Sequence, residues 1–332
     1  MIYVKIAVIG AQGHYCNIIE AIKHNNRISV DAVAPGTVDE NIVPVAMGFA
    51  KVGVNVRLFD DYLTMLDEIQ PDIVAVNSYF YINSQITTDL LRRKINVFCE
   101  KPLATDLNKL SNLYHEYLKS GVHLTAMHLM RDMPWFAAAH KAVRQGRIGD
   151  ISVINIQKSY ILGQRDAFFT SRFTYGGTIP WVGSHAVDLA YWFTGERFKS
   201  VTALHTKKHN NSHGDLENAA LCQFVTEKGV LVSVSLDYMR PQTAPSHGDD
   251  RIRIAGTKGV VEVIDENAYI INDEAEGVQK LDNIDGGNMF ESFMNEVKGF
   301  GRCPLTAEDA FYITRICLYA RESADTGKTI TF

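Results

Sequence analysis

The sequence predicts an α/β protein in two parts: a doubly wound parallel sheet first, then an α/β domain on a large, mostly antiparallel open sheet. Two textures predict this. Short apolar runs alternate with segments of helical period at the start of the chain, and long strands joined by glycine turns follow. Size is the third observation. At 332 residues, the chain exceeds the roughly 250–300 residues at which a single core stops growing. The change of texture lies near residues 122–130, giving expected domains 1–125 and 126–332.

In the first domain the expected order is strand Ile6–Ile9, helix Tyr15–Lys23, strand Ile28–Ala34, strand Val54–Leu58, helix Tyr62–Ile69, strand Ile73–Val76, helix Gln85–Arg93 and strand Asn96–Cys99. A helix over Asp106–Ser120 and a strand over His123–Ala126 continue the pattern. The runs IAVIG and DIVAV are apolar throughout, as strands covered by helices on both faces require. Residues 35–53 carry Pro44, Gly48 and Gly53 and read either as a mobile flap or as a packed insertion.

A helix over Trp135–Gln145 opens the second domain. Strands follow at Ile151–Tyr160, Ser200–His205, Ala219–Val225, Val230–Tyr238, Arg251–Ala255 and Val260–Ile264, with Lys228-Gly229 and Lys258-Gly259 as hairpin signals. One interrupting helix is opened by Pro180 and stopped by Gly195. Another is expected at Asp309–Asp325, where Ala310, Ile313, Cys317 and Ala320 share a face.

Composition narrows the function. Hydrophobic residues at 46% and charged residues at 21% describe a folded globular chain. A net charge of −5, with Lys and Arg scattered, offers no field to hold nucleic acid or anionic lipid, so neither is an expected partner. No stretch reaches the roughly 20 apolar residues of a membrane span, and the opening MIYVKIAVIGAQG reads as a strand rather than a leader. The five cysteines are odd in number and widely spaced. That pattern fits neither a disulfide framework nor a zinc site, so no metal is expected and the reducing cytoplasm is the expected compartment.

Chemistry concentrates at three places. Strand Ile6–Ile9 runs through Gly10-Ala11-Gln12-Gly13-His14-Tyr15 into a helix, where backbone N–H groups and a helix dipole face a pyrophosphate in a dinucleotide fold. Against G-x-G-x-x-G, Gly10 matches while Gln12 and Tyr15 take the next two glycine places, and Gly13 allows a tight turn. A plain strand-to-helix turn would also use two glycines. The candidate cofactor contacts are Gly10, Gln12, Gly13 and His14. The second strand ends Val33-Ala34-Pro35-Gly36-Thr37, without the acid that usually receives the ribose diol; Pro35 stands near that place, and NAD and NADP both stay open.

The second place is Cys99-Glu100-Lys101-Pro102, at the carboxyl edge of the sheet where open α/β folds bind ligands. An ammonium at Lys101 would stabilise alkoxide character as hydride leaves carbon; a solvent-facing lysine is the plain alternative. The third is Tyr175–Asp188, in which His185 and Asp188 stand three apart on one helical face. His185 suits proton exchange with an alcohol near neutral pH. The alternative is a core histidine satisfied by Asp188. His128 and Arg172 are further pocket candidates.

In this order the motifs resemble the Gfo/Idh/MocA family of oxidoreductases, typified by glucose–fructose oxidoreductase and inositol dehydrogenase. The resemblance spans nearly the whole chain: the glycine turn, Glu100-Lys101-Pro102, Gly176-Gly177 leading to Gly183-x-His185-x-x-Asp188, the Gly256–Gly259 hairpin, and Thr326-Gly327-Lys328. It implies a Rossmann domain that binds NAD or NADP, a small polyhydroxylated substrate, and homodimers or homotetramers built through the C-terminal sheet. It places Lys101 at substrate and nicotinamide, His185 at the reacting hydroxyl, and Glu100 near the cofactor. Departures are specific. Trp181 stands where family members carry Asp, Ser78-Tyr79 replace a Thr-Pro beside the cofactor, and Asn83 replaces a His. Trp181 offers an apolar platform to a sugar ring, or a core contact. The readings, in order, are a dehydrogenase acting on a secondary alcohol of a sugar, inositol or related polyol; an NAD-dependent glycoside hydrolase or lyase; and a non-catalytic dinucleotide or sugar sensor.

Overall fold

A computed structural model describes residues 4–332, which divide into two compact units. One comprises residues up to 129 with 173–175 and 287–314; the other comprises 130–172, 176–286 and 315–332. Along the first run β1 (Ile6–Gly10), α1 (Cys16–His24), β2 (Ala32–Ala34), α2 (Val43–Ala50), β3 (Arg57–Leu58), α3 (Tyr62–Ile69), β4 (Ile73–Asn77), α4 (Phe80–Arg92), β5 (Asn96–Cys99), α5 (Leu107–Ser120) and β6 (Leu124–Ala126) follow one another. The six strands are all parallel, in the order β3-β2-β1-β4-β5-β6.

Every residue of β1 and β4 is buried, which is why both read as unbroken apolar runs. The strand order reverses at β1, between β2 and β4, so the carboxyl ends of these three strands bound the crevice where doubly wound sheets bind ligands. Asp61 and Asp106 cap α3 and α5 by accepting from the N–H groups of Thr64 and Lys109, each at 2.8 Å. Residues 35–53 form a packed insertion rather than a flap: α2 buries Val45 and Phe49 completely.

In the second unit α6 (Pro134–Arg144), β7 (Ile151–Ile161), the single turn α7 (Arg172–Tyr175), whose residues 173–175 are counted with the first unit, α8 (Ser184–Thr194), β8 (Phe198–Thr206), β9 (Ala219–Thr226), β10 (Leu231–Arg240), β11 (Gly248–Gly256), β12 (Gly259–Ile264), β13 (Asn267–Asn272) and β14 (Ala275–Leu281) lead to the chain's last part. There α9 (Met289–Val297), α10 (Ala307–Thr326) and β15 (Ile330–Thr331) complete the fold. The nine-stranded sheet runs β14-β13-β12-β11-β7-β10-β9-β8-β15 and is mixed: β7 and β10 are parallel and every other pair is antiparallel. Helix α8 packs on β7, and α6 on β12 and β13. In β10, Val232, Val234, Leu236 and Tyr238 are buried while Leu231 is exposed, so the sheet has one covered and one open face.

The α9 helix belongs to the first unit, where Phe290 and Phe293 place their ring centroids 5.3 and 5.7 Å from that of Phe98 on β5. The face expected on α10 exists, with Ala310, Ile313, Cys317 and Ala320 all fully buried.

Candidate active site

The glycine turn after β1 is fixed by its neighbours. Gly10 pairs with Asn77 of β4 and has φ +94°; a Cβ there would stand 2.4 Å from the Asn77 carbonyl oxygen, so only glycine fits. Gly13, at φ +69°, meets the Glu100 side chain just as closely. Asn77 accepts from the Gln12 N–H at 2.5 Å and donates Nδ2 to the Gln12 carbonyl at 2.9 Å.

Two buried carboxylates complete the turn. Glu100, fully buried behind β5, accepts from the His14 N–H at 2.7 Å and lies 2.9–3.0 Å from His14 Nδ1. Glu40, 6% exposed, accepts from the Ala11 N–H at 3.0 Å, the Gly36 N–H at 3.0 Å and the Ser78 hydroxyl at 2.8 Å. This places a carboxylate at the carboxyl ends of β1, β2 and β4, where the sequence between Val33 and Thr37 supplies none. Burial pushes the Glu40 carboxyl up, against the pull of the Ser78, Ala11 and Gly36 donors. Sequence reading missed Glu40 because it follows the strand by several residues, and the Gly36 turn folds it back.

Lys101 follows Glu100 and is 2% exposed, with Nζ 3.9 Å from Glu100 Oε1. It is no solvent-facing lysine. His128, past β6, is fully buried in the same unit. Asn83 on α4 is also fully buried, and neither amide atom has a hydrogen-bond partner among the described residues. One turn on, Thr87 contacts Cys99 Sγ at 3.5 Å, so this face of α4 packs beside the Glu100-Lys101 segment. Ser78 is spent on Glu40; Tyr79 precedes α4 and stacks on Tyr81 at 6.3 Å. Pro35 lies directly between β2 and Gly36.

In the second unit a π-helical turn, Ile179–Gly183, carries Trp181 and leads into α8, which carries His185 and Asp188. Such turns recur at functional sites because they re-aim side chains within a helix. His185 is 5% exposed. The fully buried Asp188 accepts from Arg131 Nε at 3.0–3.1 Å and from Nη2 at 2.5 Å, so its acid is held by arginine. Removing either partner of such a buried pair typically costs about 3–5 kcal/mol; here the pair ties α8 to the segment before α6. Arg172 is similarly committed, to Glu217 and, at 3.0–3.2 Å, to Asp325, while Glu217 also accepts from the Thr178 N–H at 3.1 Å. That network clamps the Gly176–Thr178 corner.

A cofactor's fit is testable on the turn itself. The Gly13 N–H has no acceptor among the described residues and remains for a phosphate oxygen ahead of α1. Glu40 has three of its four or so lone-pair sites filled, which leaves one on Oε1. A pyrophosphate and a ribose hydroxyl fit these groups. Among the described residues no cluster of His, Cys, Asp and Glu could hold a metal, and no helix is long and apolar enough to cross a membrane.

Comparison with known proteins agrees with this geometry. Residues 4–128 match the model of the oxidoreductase family with an NAD-binding Rossmann fold, and residues 136–262 match the GFO/IDH/MocA C-terminal domain. The chain belongs to the Gfo/Idh/MocA family of oxidoreductases. A Thermotoga maritima protein assigned as an oxidoreductase is 41% identical, with 99% of this chain and 100% of that one covered at a TM-score of 0.96. Aldose-aldose oxidoreductase from Caulobacter crescentus shares the fold at 17% identity, full coverage of both chains and a TM-score of 0.83. Inositol 2-dehydrogenase of Klebsiella pneumoniae is 23% identical over 70% of this chain, and the match spans 66% of that enzyme's length. Inositol 2-dehydrogenase 2 of Saccharopolyspora erythraea is 24% identical over 58% of this chain and 55% of its own.

The Glu100 carboxyl lies below its usual range. Burial alone would raise it, but the charge and bonds of His14 and the charge of Lys101 outweigh that cost. A lowered folded pKa means stability that is present above the unfolded carboxylate value of about 4.3 and lost as pH falls through the folded value. Glu100→Gln is expected to destabilise the protein at pH 7 by about 1.5–3 kcal/mol, the range for hydrogen bonds to charged groups. In urea melts from pH 7 to below pH 4 the deficit should shrink with pH; a constant deficit would mean that Glu100 acts by shape rather than charge.

Proposed function

We propose that the protein is an NAD-dependent dehydrogenase that oxidises a secondary alcohol of a sugar, inositol or related polyol. The observation that carries this reading is the buried Lys101 held beside Glu100 at the carboxyl edge of the nucleotide-binding sheet. A cation there can hold a hydroxyl and stabilise it as it becomes an alkoxide. His185 takes the hydroxyl proton as the C–H bond breaks and the carbonyl forms. Bound NAD supplies the hydride acceptor. Gly10, Gly13 and the start of α1 hold its pyrophosphate, with Gln12 and His14 flanking, and Glu40 receives a ribose hydroxyl. Asp188 and Arg131 position α8 rather than touching substrate, Trp181 gives the ring an apolar face, and Arg172 shapes the corner before it.

Glu40 supports NAD over NADP. A buried carboxylate gains from each added hydroxyl donor and is repelled by a 2′-phosphate, so NAD is the cofactor. The open sheet face is proposed as the seam of a homodimer or homotetramer, supported by Leu204, Leu221 and Leu231, which are 62%, 58% and 53% exposed on adjacent strands. Five free cysteines support a cytoplasmic setting.

Three outcomes follow. Lys101→Met should lower kcat with a polyol substrate by about 10²–10³-fold, the loss seen when one alkoxide-stabilising donor is removed, and leave NAD affinity within a few-fold; unchanged kcat removes Lys101 from the reaction. In calorimetric titrations NAD should bind at least about tenfold tighter than NADP, and Glu40→Gln should narrow that ratio. Equal or reversed preference contradicts the role of Glu40. Light scattering should give a dimer or tetramer that Leu221→Glu shifts toward the monomer, and a monomeric wild type would end the interface proposal.

A further inference from the structure

Arg165 lies in the second unit, between β7 and α7. Its guanidinium stands over three rings, 5.6 Å from the centroid of Phe169, 5.4 Å from Trp181 and 5.1 Å from Tyr238. One Nη2 proton goes to the Ile161 carbonyl at 3.1 Å, while Nε is buried without an acceptor among the described residues. Three other cations of the unit are neutralised: Lys158 by Asp250 at 2.7 Å, Arg131 by Asp188, and Arg172 by Glu217. No described carboxylate pairs with Arg165. A second donor waits in the same cluster. Tyr238 is 5% exposed, and its hydroxyl is buried with no partner among the described residues. Arg165 and Trp181 are themselves half-buried, so solvent reaches the cluster.

Aromatic faces hold a guanidinium with little hydration but satisfy none of its N–H groups. Leaving buried donors unmet is costly, and apart from the Ile161 carbonyl no described residue accepts from Arg165. A planar fork with an open edge matches a carboxylate in particular, because two parallel N–H···O bonds form at once. Trp181, one of the rings under Arg165, stands on the π-helical turn that leads directly into the helix carrying His185.

We propose that the substrate of this site is a sugar acid, an aldonate or uronate, whose carboxylate is bound by Arg165 and the Tyr238 hydroxyl. This rests on the polyol dehydrogenase reading and narrows it. The carboxylate is a binding handle and takes no part in bond breaking.

The test is calorimetry on the protein saturated with NADH, using D-gluconate, D-glucuronate, D-glucose, myo-inositol and D-glucose 6-phosphate as probes. One carboxylate should bind at least about tenfold tighter than its uncharged counterpart, the gain expected of a charge-assisted pair. Arg165→Gln should erase that ratio, and Arg165→Lys should restore only part of it. Tyr238→Phe should weaken the acid more than the neutral sugar. Equal affinity for acids and neutral sugars overturns the sugar-acid assignment and leaves the dehydrogenase reading intact. Tighter binding of the phosphate than of either carboxylate overturns it in favour of a sugar phosphate. If a folded, NADH-loaded protein binds none of the probes, both readings fall.

Discussion

The nucleotide-binding edge depends on how the backbone N–H groups of the turn after β1 are shared between the protein and a ligand. A turn that exposes successive N–H groups is an anion site, and an empty one must find anions elsewhere. This chain gives the Ala11 N–H to Glu40 and the His14 N–H to Glu100, and keeps Gly13. The same two carboxylates tie the turn to β2, β4 and β5 through Gly36, Ser78 and the Glu100-Lys101 segment. The turn is therefore shaped before a cofactor arrives, and Lys101 is placed by the acid that shapes it. Two departures from the glycine fingerprint, Gln12 and Tyr15, are tolerable for this reason: side-chain acids do the holding that close backbone packing does in the G-x-G-x-x-G turn.

Much of this was legible in the sequence. Apolar runs such as IAVIG mark doubly buried strands because their composition has to satisfy two faces at once, and both the parallel sheet and the placement of Lys101 at its edge follow from them. What stayed hidden depends on chain paths that no local pattern records. The mixed character of the second sheet arises because β10 returns beside β7 after α8, β8 and β9. Glu40 is invisible as a ribose acid because the rule looks immediately past the strand, whereas the turn at Gly36 brings the acid back from farther along. At Asp188 local spacing pointed to His185 as its partner, yet an arginine 57 residues away holds it. A guanidinium answers a buried carboxylate at two points, whereas a neighbouring imidazole offers one.

Charge balance in the second unit joins these observations. Interior cations and carboxylates are matched one to another around α8, and the matching fails at Arg165 alone among the pairs described above. Position 181 explains the failure in sequence terms. The family resemblance leads to the expectation of an aspartate there, and Trp181 supplies a ring facing Arg165 at 5.4 Å instead. Exchanging a carboxylate for a ring removes one negative charge from the cluster and leaves the cation in contact with π-density that cannot neutralise it. On the sugar-acid proposal a site so altered gains complementarity to a ligand that brings its own carboxylate, while His185 stays the proposed acceptor of the hydroxyl proton. On the sugar-acid proposal, the residue at 181 that departs from the family pattern is also the one that leaves Arg165 open to a substrate carboxylate.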